Sequence, residues 1–180
     1  MVITQGAGIN VDRGIEEAVE AMEFLKNVCL LIVGNGDVVI QLKKRVQELE
    51  LEQSVLFKNR MPYMQMMQYT KYANLGLTLD KDSNINYRLS LPNKIFDYIH
   101  ANTPILASKL PEIEKIISDY GIGLFIDNHD PRHIADKIKF ALENKKLNTQ
   151  WEMNLKQAAT ELVWKNEAKS LEDIYANINL

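Results

Sequence analysis

Short apolar runs alternate with stretches in which apolar residues recur at helical spacing, and this alternation organises the chain from end to end. The first run, Val2-Ile3-Thr4-Gln5, predicts a strand that ends at Gly6-Ala7-Gly8, and its place directly after Met1 suggests a domain excised from a longer protein. Beyond Asp12, residues Ile15, Ala18, Val19 and Met22 fall on one helical stripe. Residues 28–33 form an unbroken apolar run, as expected of a strand covered on both faces, and stop at Gly34-Asn35-Gly36. A second helix is predicted over 37–49, with Val39, Leu42 and Val46 buried and Lys43, Lys44 and Arg45 on the wetter side. Val55-Leu56-Phe57 reads as a third strand, Arg60-Met61-Pro62 as a break, 63–71 as a short helix and 73–79 as a fourth strand. A polar loop, Asp80-Lys81-Asp82-Ser83-Asn84, follows.

The same alternation continues with a helix over 92–101, a strand over 104–107, a helix over 111–118 and a strand over 123–126. Helices over 131–142 and from Thr149 to the C-terminus, the latter broken near Trp164, complete the chain. The pattern predicts one α/β domain over residues 1–180: a doubly wound, Rossmann-like parallel sheet of about six strands, helices on both faces and a C-terminal helical segment. Ligands of such folds bind at the C-terminal ends of the strands, where helix N-termini offer free backbone N–H groups.

Composition narrows the function. The 180 residues are 46% hydrophobic and 25% charged, enough for one substantial core. A formal charge of −3 provides no basic field for a phosphate backbone, so nucleic acid is not an expected partner. Cys29, the single cysteine, lies in the second apolar run and reads as a buried thiol in a reducing compartment; it excludes an internal disulfide and a cysteine-cluster metal site. No apolar run approaches the roughly 20 residues of a membrane span. The start of the chain lacks the pattern of a signal peptide, and the expected location is the cytoplasm.

Several short motifs offer chemistry. The turn from Gly6-Ala7-Gly8 to Arg13-Gly14 could let backbone approach a phosphate with Arg13 supplying charge, or could be an ordinary turn with a surface arginine. Gly34-Asn35-Gly36 begins like a dinucleotide fingerprint, but Val39 stands where its third glycine is needed. No phosphate loop, His-Glu-x-x-His pair or nucleophile elbow is present. His129 and His133 flank Pro131 and read as a helix start rather than a metal site. Asp80 and Asp82 could bind a divalent ion bridging a diphosphate, although solvated charge is the plainer reading for a polar loop.

The strongest signal is Ser90-Leu91-Pro92-Asn93-Lys94-Ile95-Phe96-Asp97-Tyr98. Ser90 can cap, Pro92 suits a first helical turn, and free N–H groups with Lys94 would form a positive site for a diphosphate. Asp97 follows Asn93 and Lys94 at spacings that share a helix face, where a carboxylate can accept ribose hydroxyl protons. The alternative is a capped helix with a Lys94–Asp97 ion pair.

Together, the turn at 6–14, Gly34-Asn35-Gly36, residues 90–98 and Asn102-Thr103-Pro104-Ile105-Leu106-Ala107-Ser108 resemble the C-terminal half of a glycosyltransferase of family 4 over nearly the whole chain. The resemblance implies the two-domain GT-B architecture, in which the C-terminal domain binds a nucleotide diphosphate sugar, such as a UDP-, GDP- or TDP-sugar, and the N-terminal domain binds the acceptor. It implies polysaccharide biosynthesis and retaining transfer to a saccharide or lipid-linked acceptor, with no metal or other cofactor. By position, Arg13 and Lys94 match the groups that meet the diphosphate, and are the expected catalytic residues. Asp97 matches the second acid of a Glu-x7-Glu motif, which holds the ribose; Asn93 and Lys94 match a Pro-Asn-Lys variant; Arg60 and Met61 lie where the base sits, with Tyr63 nearby. Gly6 and Ser90 complete the expected nucleotide contacts.

Leu89 stands in place of the motif's first glutamate, and Ala7 where many members carry arginine. The amphipathic segment 151–180, with Leu155, Leu162, Leu171, Ile174 and Ile178, would pack on the missing acceptor domain, or leave apolar surface for self-association of the fragment. A parent acting on lipid-linked acceptors would sit at the inner face of a membrane. Two other readings stay open at this point: a metal-dependent transferase using Asp80 and Asp82, and a non-catalytic α/β interaction module.

Overall fold

The computed structural model describes residues 1–176, in which a single six-stranded sheet runs in the order β3-β2-β1-β4-β5-β6 with every pairing parallel. The strands are β1 (Val2–Gly6), β2 (Leu30–Gly34), β3 (Val55–Lys58), β4 (Leu75–Thr78), β5 (Ile105–Ser108) and β6 (Gly123–Ile126). The helices are α1 (Ile15–Ala21, continued by a 3-10 turn), α2 (Val39–Glu48), α3 (Tyr63–Lys71), α4 (Ile85–Arg88) and α5 (Lys94–His100). They continue with α6 (Pro111–Tyr120), α7 (Pro131–Glu143), α8 (Lys145–Glu161) and α9 (Trp164–Ala176).

Strand periodicity divides the core into two layers. Val2, Leu30, Ile32, Leu75 and Leu77 point toward α1, α2 and α7. Ile3, Leu31, Val33, Ile105 and Ala107 point toward α5, α6 and α8. The order of the sheet reverses between β2-β1 and β4-β5, so the C-terminal ends of β1 and β4 flank the switch point where such folds take ligand.

One close contact lowers α5 onto those ends. Tyr98 is fully buried and donates its hydroxyl to the Leu77 carbonyl at 3.1 Å. Its ring lies flat on Gly76, where any Cβ would overlap it. The first turn of α5, with Lys94 and Asp97, is thereby held over the sheet.

Several boundaries differ from the sequence pattern. β2 begins at Leu30, which leaves Val28 and Cys29 half-buried ahead of the ladder; Cys29 is not a core thiol. The loop after residue 84 contains α4, a single turn capped by Asn84, whose Oδ1 accepts the Tyr87 N–H at 3.0 Å. Because of that turn, the Ser90 hydroxyl donates back to the Tyr87 carbonyl at 3.1 Å and does not cap α5. Asn93 takes the cap position without a side-chain bond, so α5 starts at Lys94 and not Pro92.

α8 starts four residues earlier than expected because Asn144 accepts the Leu147 N–H, and the expected break falls between Glu161 and Trp164. Leu155 is buried and Leu162 half-buried, whereas Trp164, Ile174 and Tyr175 are exposed. The Leu171 side chain and the whole of Ile178 lie outside the described residues.

His129 to His133 forms a helix start, as read from Pro131. The Asp130 carboxylate accepts the His133 N–H at 3.0 Å and caps α7. Asp130→Ala is expected to lower the unfolding free energy by about 1 kcal/mol, measured by urea denaturation.

Candidate functional site: a cleft at the switch point

Two adjoining hollows, about 300 and about 180 Å3, open between the ends of β1 and β2 and the start of α5, and share Gly6, Ala7, Asn93 and Lys94. The larger adds Arg60, Met61, Tyr63, Met66 and Asp97; the smaller adds Gln5, Gly8, Arg13 and Pro92. Gly6, Arg13, Arg60, Met61, Asn93, Lys94 and Asp97 are thus brought to one cleft, while Ser90 lines neither part. Leu89 is also outside it, exposed at the C-terminal end of α4. Roomier hollows occur at the opposite end of the sheet, near Met1 and Pro104, and over the β6 edge, near Phe125. Neither joins a helix start to the C-terminal ends of β1 and β4.

The centre of the cleft's charge is Asp80. Its carboxylate is completely buried: Oδ1 accepts from Arg13 at 2.6 Å, and Oδ2 accepts the Thr78 hydroxyl at 3.0 Å with the Lys94 ammonium at 3.8 Å. The reading of Asp80 as a solvated loop charge is therefore wrong. Asp82 is exposed and faces Arg88 at 3.9 Å, so the two aspartates do not converge. Among the described residues no group of three or more His, Cys, Asp or Glu gathers around one point.

Burial pushes the Asp80 carboxyl up, but Lys94 and then Arg13 hold it below its ordinary range. Asp80 accordingly adds stability above that range, and the contribution is lost as pH falls through the depressed value. Lys94, only 11% exposed, is lowered as well, in its case against the charged form: burial brings its ammonium below the usual lysine range, opposed by Asp80 and reinforced by Arg13. Two cations against one carboxylate leave one positive charge in excess.

Local backbone explains the convergence. Gly14 precedes α1 at φ 67°, and a Cβ there would overlap the Leu79 carbonyl, so only glycine brings the two loops together. The Lys81 N–H donates to the Asp12 carbonyl at 2.8 Å, and Lys81 pairs with Glu17. His129 Nε2 lies 2.9 Å from the Leu79 carbonyl and 3.2 Å from the Ser108 hydroxyl, and His133 Nε2 accepts the Asp127 N–H. The guanidinium of Arg13 is stacked 4.2 Å from the Tyr87 ring centre, and its buried Nε has no hydrogen-bond partner among the described residues.

Asp97 stands apart from that cluster. The Lys94–Asp97 pair of the alternative reading does not form; Gln5 Nε2 donates to Asp97 Oδ2 and the Tyr63 hydroxyl to Oδ1, each at 3.0 Å. Gln5 is itself fixed, its Oε1 accepting from the Thr70 hydroxyl at 2.6 Å. Burial, then the bond to Asp97, raises the Tyr63 phenol above its ordinary range. Each carboxylate oxygen keeps a second lone-pair direction, so Asp97 can still accept two hydroxyl protons.

Gln5 was missed in the sequence, where it looked like the polar end of a strand. Its signal was a polar residue directly before Gly6 in an otherwise core strand. Of the methionines, Met67 fills core, Met64 is exposed, and Met61 and Met66 are half-buried along the cleft.

The family described as Glycosyl transferases group 1 matches residues 6–158. A D-inositol 3-phosphate glycosyltransferase of Nocardioides sp. is 27% identical over 73 residues, 41% of this chain and 16% of that protein. Sucrose-phosphate synthase from Thermosynechococcus elongatus superposes with a TM-score of 0.85 at 19% identity, covering 98% of this chain and 45% of the synthase. Anabaena HepE, solved with UDP and glucose, gives 0.79 at 15% identity, covering 98% of this chain and 48% of HepE. The chain therefore spans about half the length of the synthase and of HepE, and its matched stretch a smaller part of the inositol-phosphate enzyme. The C-terminal domain of LpcC from Francisella tularensis gives 0.72 at 16% identity, covering 89% of this chain and 85% of that domain. With a matched stretch this long, the chain belongs to the glycosyl transferases group 1 family and has the fold of the C-terminal domain of its GT-B enzymes.

Proposed function

We propose that this chain is the donor-binding domain of a retaining, metal-independent glycosyltransferase that moves a sugar from a nucleotide diphosphate sugar to a saccharide or lipid-linked acceptor. The observation that carries the reading is one cleft at the sheet's switch point, with Arg13 and Lys94 at one end and Asp97 one helical turn beyond Lys94. The diphosphate would lie against Arg13, Lys94 and the backbone from Gly6 to Gly8, the ribose against Asp97, and the base beside Arg60, Met61 and Tyr63. HepE, with the same fold, was solved with UDP and with UDP-glucose, which supports a nucleotide in such a cleft.

In transfer, the bond from the anomeric carbon to the diphosphate breaks and the diphosphate departs with the electron pair. Arg13 and Lys94 are placed to stabilise the charge that grows there, usually the largest electrostatic contribution in such reactions. The acceptor, held by an N-terminal domain on which α9 would pack, would supply the hydroxyl whose oxygen forms the new bond to the anomeric carbon, its proton passing to the departing diphosphate. The parent would work in the cytoplasm, at the inner membrane face where its acceptor is lipid-linked. The 180-residue chain alone is expected to bind nucleotide and to catalyse little.

Thermal denaturation with UDP, GDP, TDP and ADP tests this. The matching nucleotide at a hundred times its Kd should add about 2.7 kcal/mol of apparent stability. No shift with any of the four would remove the donor-domain reading.

A further inference from the structure

We infer that Asp80 is a positioning residue for the diphosphate: a buried carboxylate that aligns Arg13 and keeps Lys94 charged without touching the ligand itself. The inference rests on the reading of the cleft as a nucleoside diphosphate site. Its basis is geometric. Asp80 is completely buried, out of a ligand's reach, yet it contacts both cations of the cleft and is steadied by the Thr78 hydroxyl.

A purely structural role accounts poorly for this arrangement. Buried ion pairs seldom stabilise a fold more than apolar residues of similar volume would. What a buried anion does supply is a reason for Lys94 to keep its proton. The charged groups facing Lys94 from neighbouring elements are Asp80 after β4 and Arg13 before α1; Asp97, on its own helix, is engaged by Gln5 and Tyr63. Without Asp80, a nearly buried ammonium would face only another cation. Arg13 would lose the 2.6 Å bond that fixes its fork, leaving the Tyr87 stack as its support. With Asp80, both donors are set before the diphosphate arrives, which is how preorganised sites avoid reorganisation during reaction.

The decisive variant is Asp80→Asn, with UDP affinity followed by calorimetry from neutral to alkaline pH, or GDP, TDP or ADP where the screen selects it. UDP binding near neutrality should weaken about five- to tenfold. The alkaline decline in affinity should begin at least about one pH unit lower, because Lys94 loses the carboxylate that favours its charged form. Uridine binding, followed by NMR, should not change, and Asp80→Glu should restore the pH profile. Should Asp80→Asn not fold, Asp80→Ser makes the same neutral replacement with less volume.

Unchanged or tighter UDP binding with the alkaline limb in place would overturn the positioning role. Equal losses for uridine and UDP would overturn it too, reducing Asp80 to a structural ion pair. Failure of the unmutated chain to bind any of the four diphosphates is a separate result, which removes the cleft reading and this inference with it.

Discussion

Lys94→Ala should weaken nucleoside diphosphate binding by roughly ten- to a hundredfold, corresponding to about 1.5 to 3 kcal/mol for a charge-assisted contact. Three features place this effect among the largest. Lys94 is 11% exposed, so its charge acts through little intervening water. It lies where the two parts of the cleft meet, and no other lysine lines either part. The third feature is electrostatic: once Lys94 is gone, Asp80 is answered by Arg13 alone, and the cleft loses its excess positive charge. The fold should survive, since the 2.6 Å Arg13–Asp80 bond persists and removing Lys94 also removes a desolvated ammonium. Calorimetry should show the loss with UDP and not with uridine. The early alkaline decline that the depressed Lys94 gives the unmutated protein should vanish as well. Unchanged UDP affinity would exclude Lys94 from the phosphate site.

Most of the scaffold was legible because most of its helices and apolar runs are long enough to express their period. The run at 28–33 and the stripe Ile15, Ala18, Val19, Met22 correspond to β2 and α1 within a residue or two. α4 was not legible: four residues cannot display a helical repeat, and its start is marked only by Asn84. That one hidden turn also misled the reading of Ser90, whose hydroxyl is drawn back to Tyr87 and away from α5. Capping depends on the direction from which the chain arrives, and sequence spacing does not contain that direction.

The candidate site was legible in most of the residues that line its cleft and opaque in their supports. Asn93, Lys94 and Asp97 lie close together in sequence, so helical spacing alone brings them to one face. Asp80 and Arg13 are 67 positions apart, and Gln5 and Asp97 are 92 apart. The adjacency of β1 and β4 brings Asp80 to Arg13, and the seating of α5 on β4 through Tyr98 brings Asp97 to Gln5. A carboxylate in a polar loop looks solvated until the fold supplies two cations and a hydroxyl to bury it. The first step off a buried strand, where Leu79 and Asp80 follow Thr78, was the available hint.

Asp97→Asn tests the other end of the cleft, and its result turns on the two donors that already hold the carboxylate. An amide offers one accepting oxygen where the carboxylate offers two. Its NH2 must meet either the Gln5 amide or the Tyr63 hydroxyl, both of which now donate to Asp97. The Tyr63 hydroxyl can turn and accept, since it lies on the exposed side; Gln5 is locked by Thr70, so Oδ1 of the asparagine should settle on the Gln5 side. The ribose thereby loses the acceptor nearer Tyr63 together with the negative charge on both. UDP affinity should fall roughly ten- to a hundredfold, as for the loss of hydrogen bonds to a charged group. The 2′-deoxy analogue lacks one of the hydroxyls that Asp97 would accept from, so the unmutated protein should bind it less well and the variant should lose less of it. The ratio of UDP to deoxy-UDP affinity should therefore shrink in Asp97→Asn. Equal losses for the two nucleotides would mean that Asp97 only ties Gln5 and Tyr63 together, and that the ribose is held elsewhere.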